Sequence, residues 1–163
     1  MNDSALTPER ILAAAEEVLR RYGPGKATVV DVAQALGVSH GSVYRHFASK
    51  VALRDAVLRG WLERVMAPLD AIATSRTAPA ARLRQWLTAL RDIKRNKVLG
   101  EPELFATYSA LAADAREVVG EHVEHLLGQI GTIVAAGVKS GDFRKVDAQA
   151  TALAIFDATS RFH

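Results

Sequence analysis

The sequence predicts an all-α protein, with a short N-terminal cluster of helices followed by a larger helical bundle. Apolar residues recur at the three- and four-residue spacing of one helix face, whereas the alternation typical of β-strands is nearly missing. Turn residues divide this pattern into segments, the first of which stops at Gly23-Pro24-Gly25, a tripeptide that no helix crosses. The 163 residues are 49% hydrophobic and 24% charged, which is typical of a soluble globular protein whose core needs no cross-links.

Two helices with clear boundary signals open the chain. The first begins after Thr7, a capping hydroxyl that is followed by a proline and an acid, and it ends before Gly23. The second begins after Thr28, whose partner in a capping box is the acid three residues later, Asp31. Gly37 is suited to the left-handed position just beyond the end of this second helix.

A short third helix and a longer fourth helix follow, capped by Ser39 and Ser49. Gly60 and Pro68 are expected to bend or shorten the fourth helix, because proline removes a hydrogen bond and clashes with the preceding turn. The third helix carries Val43, Tyr44 and Phe47, and the inner face of the fourth includes Leu53, Val57, Leu58, Trp61 and Leu62.

Four more helices are predicted after residue 75. The first opens at Thr77-Ala78-Pro79 and runs to about residue 97, and the second covers about 104–113. A long helix spans roughly residues 115–139, and Asp147 starts a last helix that continues to the end of the chain. These helices are expected to form the larger bundle.

The stretch from Thr28 to Leu53 has the layout of a helix-turn-helix, two short helices joined by a turn that contains glycine. Ala33 is the small residue needed where the helices approach, Gly37 supplies the turn, and Val43 anchors the second helix. The solvent side of that second helix is small or polar, which suits a helix that enters a DNA groove. Its residues are Ser39, His40, Gly41, Ser42, Arg45 and His46.

Positive charge is concentrated in the same part of the chain. Seven basic residues from Arg20 to Arg59 are opposed by only Asp31 and Asp55, whereas the net charge of the whole chain is +3. The remainder of the chain is therefore slightly acidic. A basic footprint on one small domain is what binding to DNA phosphates requires.

This segment resembles the N-terminal DNA-binding domain of tetracycline-repressor-like transcriptional regulators, the TetR family. With the first helix included, the resemblance covers about 50 residues, and the rest of the chain matches only in being helical and of suitable size. The residues that carry it are Thr28, Asp31-Val32-Ala33, Leu36-Gly37-Val38-Ser39, Gly41-Ser42-Val43-Tyr44, His46-Phe47, Ser49-Lys50 and Leu53.

The resemblance implies a role at the DNA for each of these positions. Thr28 and Lys50 are implied to bind phosphates, and Tyr44 and His46 to contact the DNA backbone. The residues implied to face the major groove are Ser39, His40, Gly41, Ser42 and Arg45.

Two positions depart from the family pattern. Val30 stands where some members have a basic residue that contacts a base, so one specific contact is expected to be lost. Val51 replaces the acid that often follows the lysine, which weakens the capping of the fourth helix but leaves the role of Lys50 intact.

Residues 1–50 are predicted to form a helix-turn-helix DNA-binding domain, and residues 51–163 an effector-binding and dimerisation domain. The resemblance implies a homodimeric repressor that binds a roughly palindromic operator and is released by a small-molecule inducer. Trp86 and Tyr108 are favoured as effector contacts, because each has a polar end that needs a partner when buried. The six main candidate pocket residues, for which core packing is the alternative, are Trp61, Trp86, Leu90, Phe105, Tyr108 and Leu126, with Leu111 and Phe156 as further candidates.

Other charged groups in this region are interpreted as surface residues rather than as ligand sites. His122 and His125 could present two metal ligands on one helix face, but no third ligand is evident, so no metal site and no cofactor are predicted. The basic run from Arg82 to Lys97 is expected to be a solvated face, with an anionic effector or an additional phosphate contact as the alternative.

Other classes of function have less support in the sequence. The sequence has no nucleophile motif, no glycine loop for phosphate and no cysteine, so no enzyme activity is predicted. The alternative function is a helical protein-interaction module without sequence-specific DNA binding. No apolar run follows a basic start, so a cytoplasmic protein without membrane contact is expected. Relatives commonly have a further helix beyond the position of His163, which makes the dimer the less determined prediction.

Overall fold

The computed structural model describes residues 6–100 and 102–160, and within them all regular secondary structure is helical. This confirms the predicted all-α class. None of the helices in the described part of the chain combines the length and apolar character that crossing a membrane needs. The helices are α1 (Pro8–Tyr22), α2 (Val29–Leu36), α3 (His40–Tyr44), α4 (Lys50–Ala73), α5 (Pro79–Gly100), α6 (Pro102–Asp114), α7 (Arg116–Ser140) and α8 (Ala148–Ser160).

The chain forms two compact units. Unit 1 consists of the described residues of Met1–Trp61 and Glu101–Val118, and unit 2 consists of those of Leu62–Gly100 and Val119–His163. Helix α4 therefore contributes its first half to unit 1 and its second half to unit 2. The predicted functional division after residue 50 falls at the start of α4 and stays a prediction.

Side-chain caps and glycines fix the ends of α1 and α2, as the sequence predicts. The Thr7 hydroxyl accepts the backbone N–H of Arg10 in the first turn of α1, and Gly23 follows that helix at φ 75°. Thr28 and Asp31 form a complete capping box at the start of α2. Gly37 has a φ of 67°, in the left-handed region that favours glycine, and it turns the chain towards α3.

Helices α3 and α4 begin where predicted, but α3 is shorter. Ser39 and Ser49 each accept a backbone N–H from the residue three positions later. Helix α3 ends at Tyr44, so Phe47 lies beyond its last turn, although the Phe47 N–H still bonds to the carbonyl of Val43. The expectation that Phe47 belongs to α3 is therefore wrong.

Helix α4 runs unbroken for 24 residues, through both Gly60 and Pro68. These residues therefore do not shorten the helix, and the other part of the expectation, that they bend it, stays a prediction. Pro68 lies on an exposed face, where water can bond to the carbonyl that loses its helical partner. The apolar residues of the second half of α4, which include Met66 and Leu69, are buried in the core of unit 2, and this burial stabilises the helix.

Each unit has its own apolar core. In unit 1, Ala33 is 3% exposed and Val43 is fully buried, so the small residue and the anchor of the helix-turn-helix lie inside as predicted. In unit 2 the core is built from α4, α5, α7 and α8. Its buried residues are Met66, Leu69, Ala73, Trp86, Leu90, Leu126, Ile130, Ile133, Val134 and Ala152.

The end of α7 contains one close approach of a side chain to the backbone. The ring of Phe143, which follows the helix, lies on Gly137, where any Cβ atom would overlap it. The Phe143 N–H donates to the Gly137 carbonyl over 3.0 Å, and Gly141 reverses the chain at φ 84°. Only glycine at position 137 leaves room for this ring.

Candidate nucleic-acid interface

The candidate site is the outer face of α3 together with the N-termini of α2 and α4. Val43 points into the core of unit 1, and this orientation turns the polar residues of α3 outward. Ser42 is half-buried, and the other predicted interface residues on α3 and directly beside it are exposed, namely Ser39, His40, Gly41, Tyr44, Arg45 and His46.

Hydrogen bonds between side chains organise this face. Arg45 Nη2 donates to Ser42 Oγ over 3.1 Å, and Ser42 Oγ lies 2.9 Å from Ser39 Oγ. The rings of His40 and Tyr44 meet edge to face, with their centroids 6.3 Å apart. The side chains of this face therefore contact one another along one helix.

Thr28 and Lys50, the two residues implied to bind phosphate, lie near each other. Both line one small, largely apolar cleft of unit 1, between the starts of α2 and α4. Lys50 is half-buried, with its stem beside the cleft. The structure therefore brings two cations, Lys50 and Arg54, together with the N-terminus of α2, a combination that favours a phosphate group.

The capping box restricts what Thr28 itself can donate. Its hydroxyl donates to Asp31 Oδ2 over 2.6 Å, and its backbone N–H donates to the same oxygen over 2.9 Å. These two bonds, the hydroxyl bond first, hold the pKa of Asp31 below its ordinary value, and the charge of Lys50 lowers it further. Both donors of Thr28 are therefore engaged within the protein, and Thr28 is less free to donate to a phosphate than the sequence suggests.

His46 lies beyond the end of α3, near the start of α1. The backbone at the N-terminus of α1 lowers the pKa of Glu9 most, followed by the Thr7 hydroxyl, and His46 adds a smaller electrostatic contribution. The predicted contact of His46 with the DNA backbone stays a prediction.

The two departures from the family pattern are both on the surface. Val30 in the first turn of α2 is 60% exposed, and Val51 in the first turn of α4 is 65% exposed. Neither side chain is needed to fill the core of unit 1. An apolar side chain is therefore available to solvent or to a partner at each helix start.

The predicted effector residues lie in two separate groups. Trp86, Leu90 and Leu126 belong to the core of unit 2, where Trp86 is fully buried. Trp61 and Tyr108 stack in unit 1, with ring centroids 4.2 Å apart and planes 6° from parallel. The sixth residue, Phe105, is half-buried in α6. No single unit holds all six, and their role in effector binding stays a prediction.

Sequence reasoning missed a polar network in unit 2 that extends from a buried indole to the surface. Trp86 Nε1 donates to Gln129 Oε1 over 2.7 Å, which supplies the partner expected for this indole. Gln129 Nε2 donates to Asp70 Oδ1 over 2.6 Å, and His125 Nε2 lies 2.7 Å from the same oxygen. Gln129 is the one polar side chain on the buried stripe of α7, and that interruption of the apolar pattern was the available signal.

Several of the remaining charged candidates have structural partners, whereas Arg84 and Arg95 of the basic run are exposed and the side chain of Lys97 lies outside the described residues. His125 contacts Asp70, and no group of three potential metal ligands occurs among the residues that the structure describes. Arg82 donates to the backbone carbonyls of Thr77 and Ala73, so this member of the basic run is not a solvated charge. Lys94 donates to the Thr159 carbonyl, and partial burial lowers the pKa of Lys94.

Comparisons with known proteins agree with this geometry. The family model described as tetracyclin repressor-like, C-terminal domain, matches residues 79–163, just over half of the chain. The model of the bacterial regulatory proteins of the tetR family matches residues 11–57, which include α2 and α3. The two matches together account for most of the chain.

Individual relatives point the same way. The HTH-type transcriptional repressor KstR2 of Rhodococcus jostii is 28% identical over 145 residues, which are 82% of this chain and 66% of that repressor, just under two thirds. A TetR transcription regulator from Haloarcula marismortui has a similar fold, with a TM-score of 0.70 at 22% identity over 94% of this chain and 81% of that one. FadR of Bacillus subtilis, solved with stearoyl-CoA, has a TM-score of 0.66 at 17% identity. The match covers 95% of this chain and 84% of the FadR chain.

Proposed function

This chain belongs to the tetracycline-repressor-like family of DNA-binding transcriptional regulators, and from this premise we propose that it is a ligand-responsive repressor. It binds a roughly palindromic operator as a homodimer, in the cytoplasm, and a small-molecule effector releases it. Family membership indicates a regulator rather than an enzyme. The observation that carries the proposal is the ordered polar face of α3.

The exposed face of α3 suits the major groove. In helix-turn-helix proteins the second helix lies in this groove and its N-terminal residues contact base edges. Here the left-handed Gly37 precedes α3 and the buried Val43 anchors it, so hydroxyl, imidazole and guanidinium groups point outward. Such groups are the donors and acceptors that read base edges.

The neighbouring helix starts support phosphate contacts. Lys50 is held at the start of α4 beside the N-terminus of α2, whose unpaired backbone N–H groups favour an anion. These contacts position the protein on the duplex without reading its sequence. A dimer then places two copies of α3 in successive major grooves, about 34–36 Å apart or a multiple of that.

Release by an effector requires a large difference in affinity. We infer that the effector binds within residues 51–163, where the candidate contacts include the stacked pair Trp61 and Tyr108. FadR of Bacillus subtilis, which has a similar fold, is a precedent for a ligand with a long apolar part. To move an operator from 99:1 occupancy to 1:99, the effector must prefer the released form about 10⁴-fold.

Selection of duplexes from a random pool by the purified full chain, at two salt concentrations, tests the proposal. The expected result is enrichment of a roughly palindromic site whose affinity falls steeply as salt rises. A duplex with the same base composition and scrambled half-sites is the control. If the folded chain enriches no site even at low salt, the proposed function is wrong.

A further inference from the structure

We propose that Arg45 reads a guanine in each half of the operator, and that Ser42 and Ser39 are positioning residues that hold its guanidinium group. The inference rests on the proposed function and deepens it by assigning one base pair to a named side chain. It also separates two roles within the predicted interface, contact with a base and orientation of the residue that makes the contact.

The three side chains form one hydrogen-bonded chain along the exposed side of α3. The guanidinium donates to the Ser42 hydroxyl, which in turn lies 2.9 Å from the Ser39 hydroxyl. Ser39 Oγ also accepts the backbone N–H of Ser42 over 3.2 Å, because Ser39 is the N-cap of α3. The guanidinium is therefore connected, through two hydroxyl groups, to the backbone at the start of the helix.

The chain leaves donors for a partner. Ser42 Oγ accepts from Arg45, and the hydrogen between the two serines can lie on either oxygen. In both arrangements one serine hydroxyl hydrogen stays outside the chain, as do the other N–H groups of the guanidinium. The bond to Ser42 thus orients Arg45 without using up its capacity to donate.

A planar fork of N–H donors matches guanine better than any other base. In the major groove guanine presents two adjacent acceptors, N7 and O6, whereas adenine presents one acceptor and one donor. Two parallel N–H groups of arginine can bond to both guanine acceptors at once. The chemistry of the held side chain therefore selects a G·C pair at the position that Arg45 faces.

Holding the side chain in the free protein matters because an exposed arginine has many rotamers. Restricting them on binding reduces affinity, and a side chain that is already ordered loses less freedom. Removal of the Ser42 hydroxyl keeps the Arg45 guanidinium group but removes the hydrogen bond that restricts its rotamers. We therefore expect Ser42→Ala to weaken the same base preference as Arg45→Ala, and to weaken it less.

The test measures base preference rather than affinity alone. The full chain and its variants are bound to the site that the wild type selects, and to copies in which each G·C pair is changed in turn to A·T. Arg45→Ala is expected to lose about 10- to 100-fold preference at one pair per half-site. Ser42→Ala is expected to lose roughly 3- to 10-fold at that same pair, as ordering of one side chain is removed.

Three further variants separate positioning from direct contact. In the Arg45→Ala background, Ser42→Ala is expected to change nothing more, since it acts through Arg45. Ser42→Thr keeps a hydroxyl and is expected to restore the preference. Ser109→Ala removes an exposed serine of α6 and is expected to have no effect. Loss at another base pair, uniform weakening at all sites, or additive losses in the double variant would overturn the positioning role.

A measurement without DNA distinguishes this inference from the proposed function. Nitrogen-15 relaxation of Arg45 Nε in the full chain is expected to show an ordered side chain that becomes mobile in Ser42→Ala and stays ordered in Ser109→Ala. If Arg45 is equally mobile in all three proteins, the positioning role is wrong whatever the DNA results. If Ser42 orders Arg45 but the wild type selects no site, the proposed function fails and the guanine assignment fails with it.

Discussion

Lys50 and Arg45 carry the same charge but have different surroundings. Lys50 is half-buried beside the cleft at the start of α4, whereas Arg45 is exposed at the end of α3 and bonded to a serine. A lysine with a packed stem presents a compact point charge, which suits a phosphate. The two residues are therefore expected to contribute to DNA binding in different ways.

Replacing Lys50 by alanine is expected to weaken binding to all DNA sequences about equally. One phosphate contact is lost, so the slope of log affinity against log salt should decrease by about 1. Titration of duplexes at several salt concentrations measures this slope. Lys139→Ala removes an exposed lysine of unit 2 and is expected to leave the slope unchanged. A Lys50→Ala protein that loses affinity for only some sequences would contradict the phosphate role.

Replacing Gln129 by leucine is expected to destabilise unit 2 by about 1–3 kcal/mol, because the Trp86 N–H then lies unpaired in an apolar core. Urea denaturation measures the free energy of unfolding. Gln85→Leu changes an exposed glutamine of α5 and is expected to stay within about 0.5 kcal/mol of the wild type. With Trp86→Phe added, the double variant should cost less than the sum of the single costs. If the losses in free energy of unfolding simply add in the double variant, the hydrogen bond between Trp86 and Gln129 contributes little to stability.

At the scale of single helices, the α2 capping box links folding to pH. The pKa of Asp31 is lowered in the folded protein, so its carboxylate stabilises the fold above its ordinary pKa of 3.8 and loses this effect as pH falls through the folded pKa. Asp31→Asn is therefore expected to be less stable than the wild type at pH 7, with the difference shrinking below pH 3.8. Thermal unfolding at both pH values measures it, and Asp142→Asn is the control for loss of an exposed carboxylate. A difference that grows at low pH would contradict this role.

Two glycines of α7 are expected to respond to alanine in opposite directions. Gly137→Ala should cost about 1–3 kcal/mol, because its methyl group would overlap the ring of Phe143. Gly128 lies in the same helix with open space at its Cβ position, so Gly128→Ala should stabilise the protein by up to about 1 kcal/mol through helix propensity. Urea denaturation of both variants measures the effects. If Gly137→Ala also raised the free energy of unfolding, the ring of Phe143 would be able to move aside.

The ends of α1 and α2 and the starts of α3 and α4 are predictable because their causes are local. Thr28 and Asp31 are three residues apart, and Gly37 follows the helix that it ends, so the pattern is visible in the sequence. The continuation of α4 through Pro68 was not predictable, because it depends on which face of the helix is solvated and on burial in a distant core. A residue of low helix propensity, such as proline, weakens a helix locally, but tertiary packing decides whether the helix ends there.

At the scale of the whole molecule, sequence separation limits what can be predicted. The outer face of α3 follows from a short motif, and the structure agrees with its exposure. The contact of Gln129 with Asp70 joins residues 59 positions apart, and no local pattern pairs them. The sequence favours the aromatic candidates for the effector site by residue type alone, and the structure divides them between two units. A ligand site assembled from distant helices needs the fold before it can be assigned.

The exposed face of α3 also bears on how such a protein can diverge. Folding of this domain depends on buried residues such as Val43, whereas the groups expected to read DNA lie outside the core. Substitutions of exposed residues usually change stability by less than about 0.5 kcal/mol. Duplicated copies of the gene could therefore drift towards new operators, one surface residue at a time, while the scaffold that presents those residues stays intact.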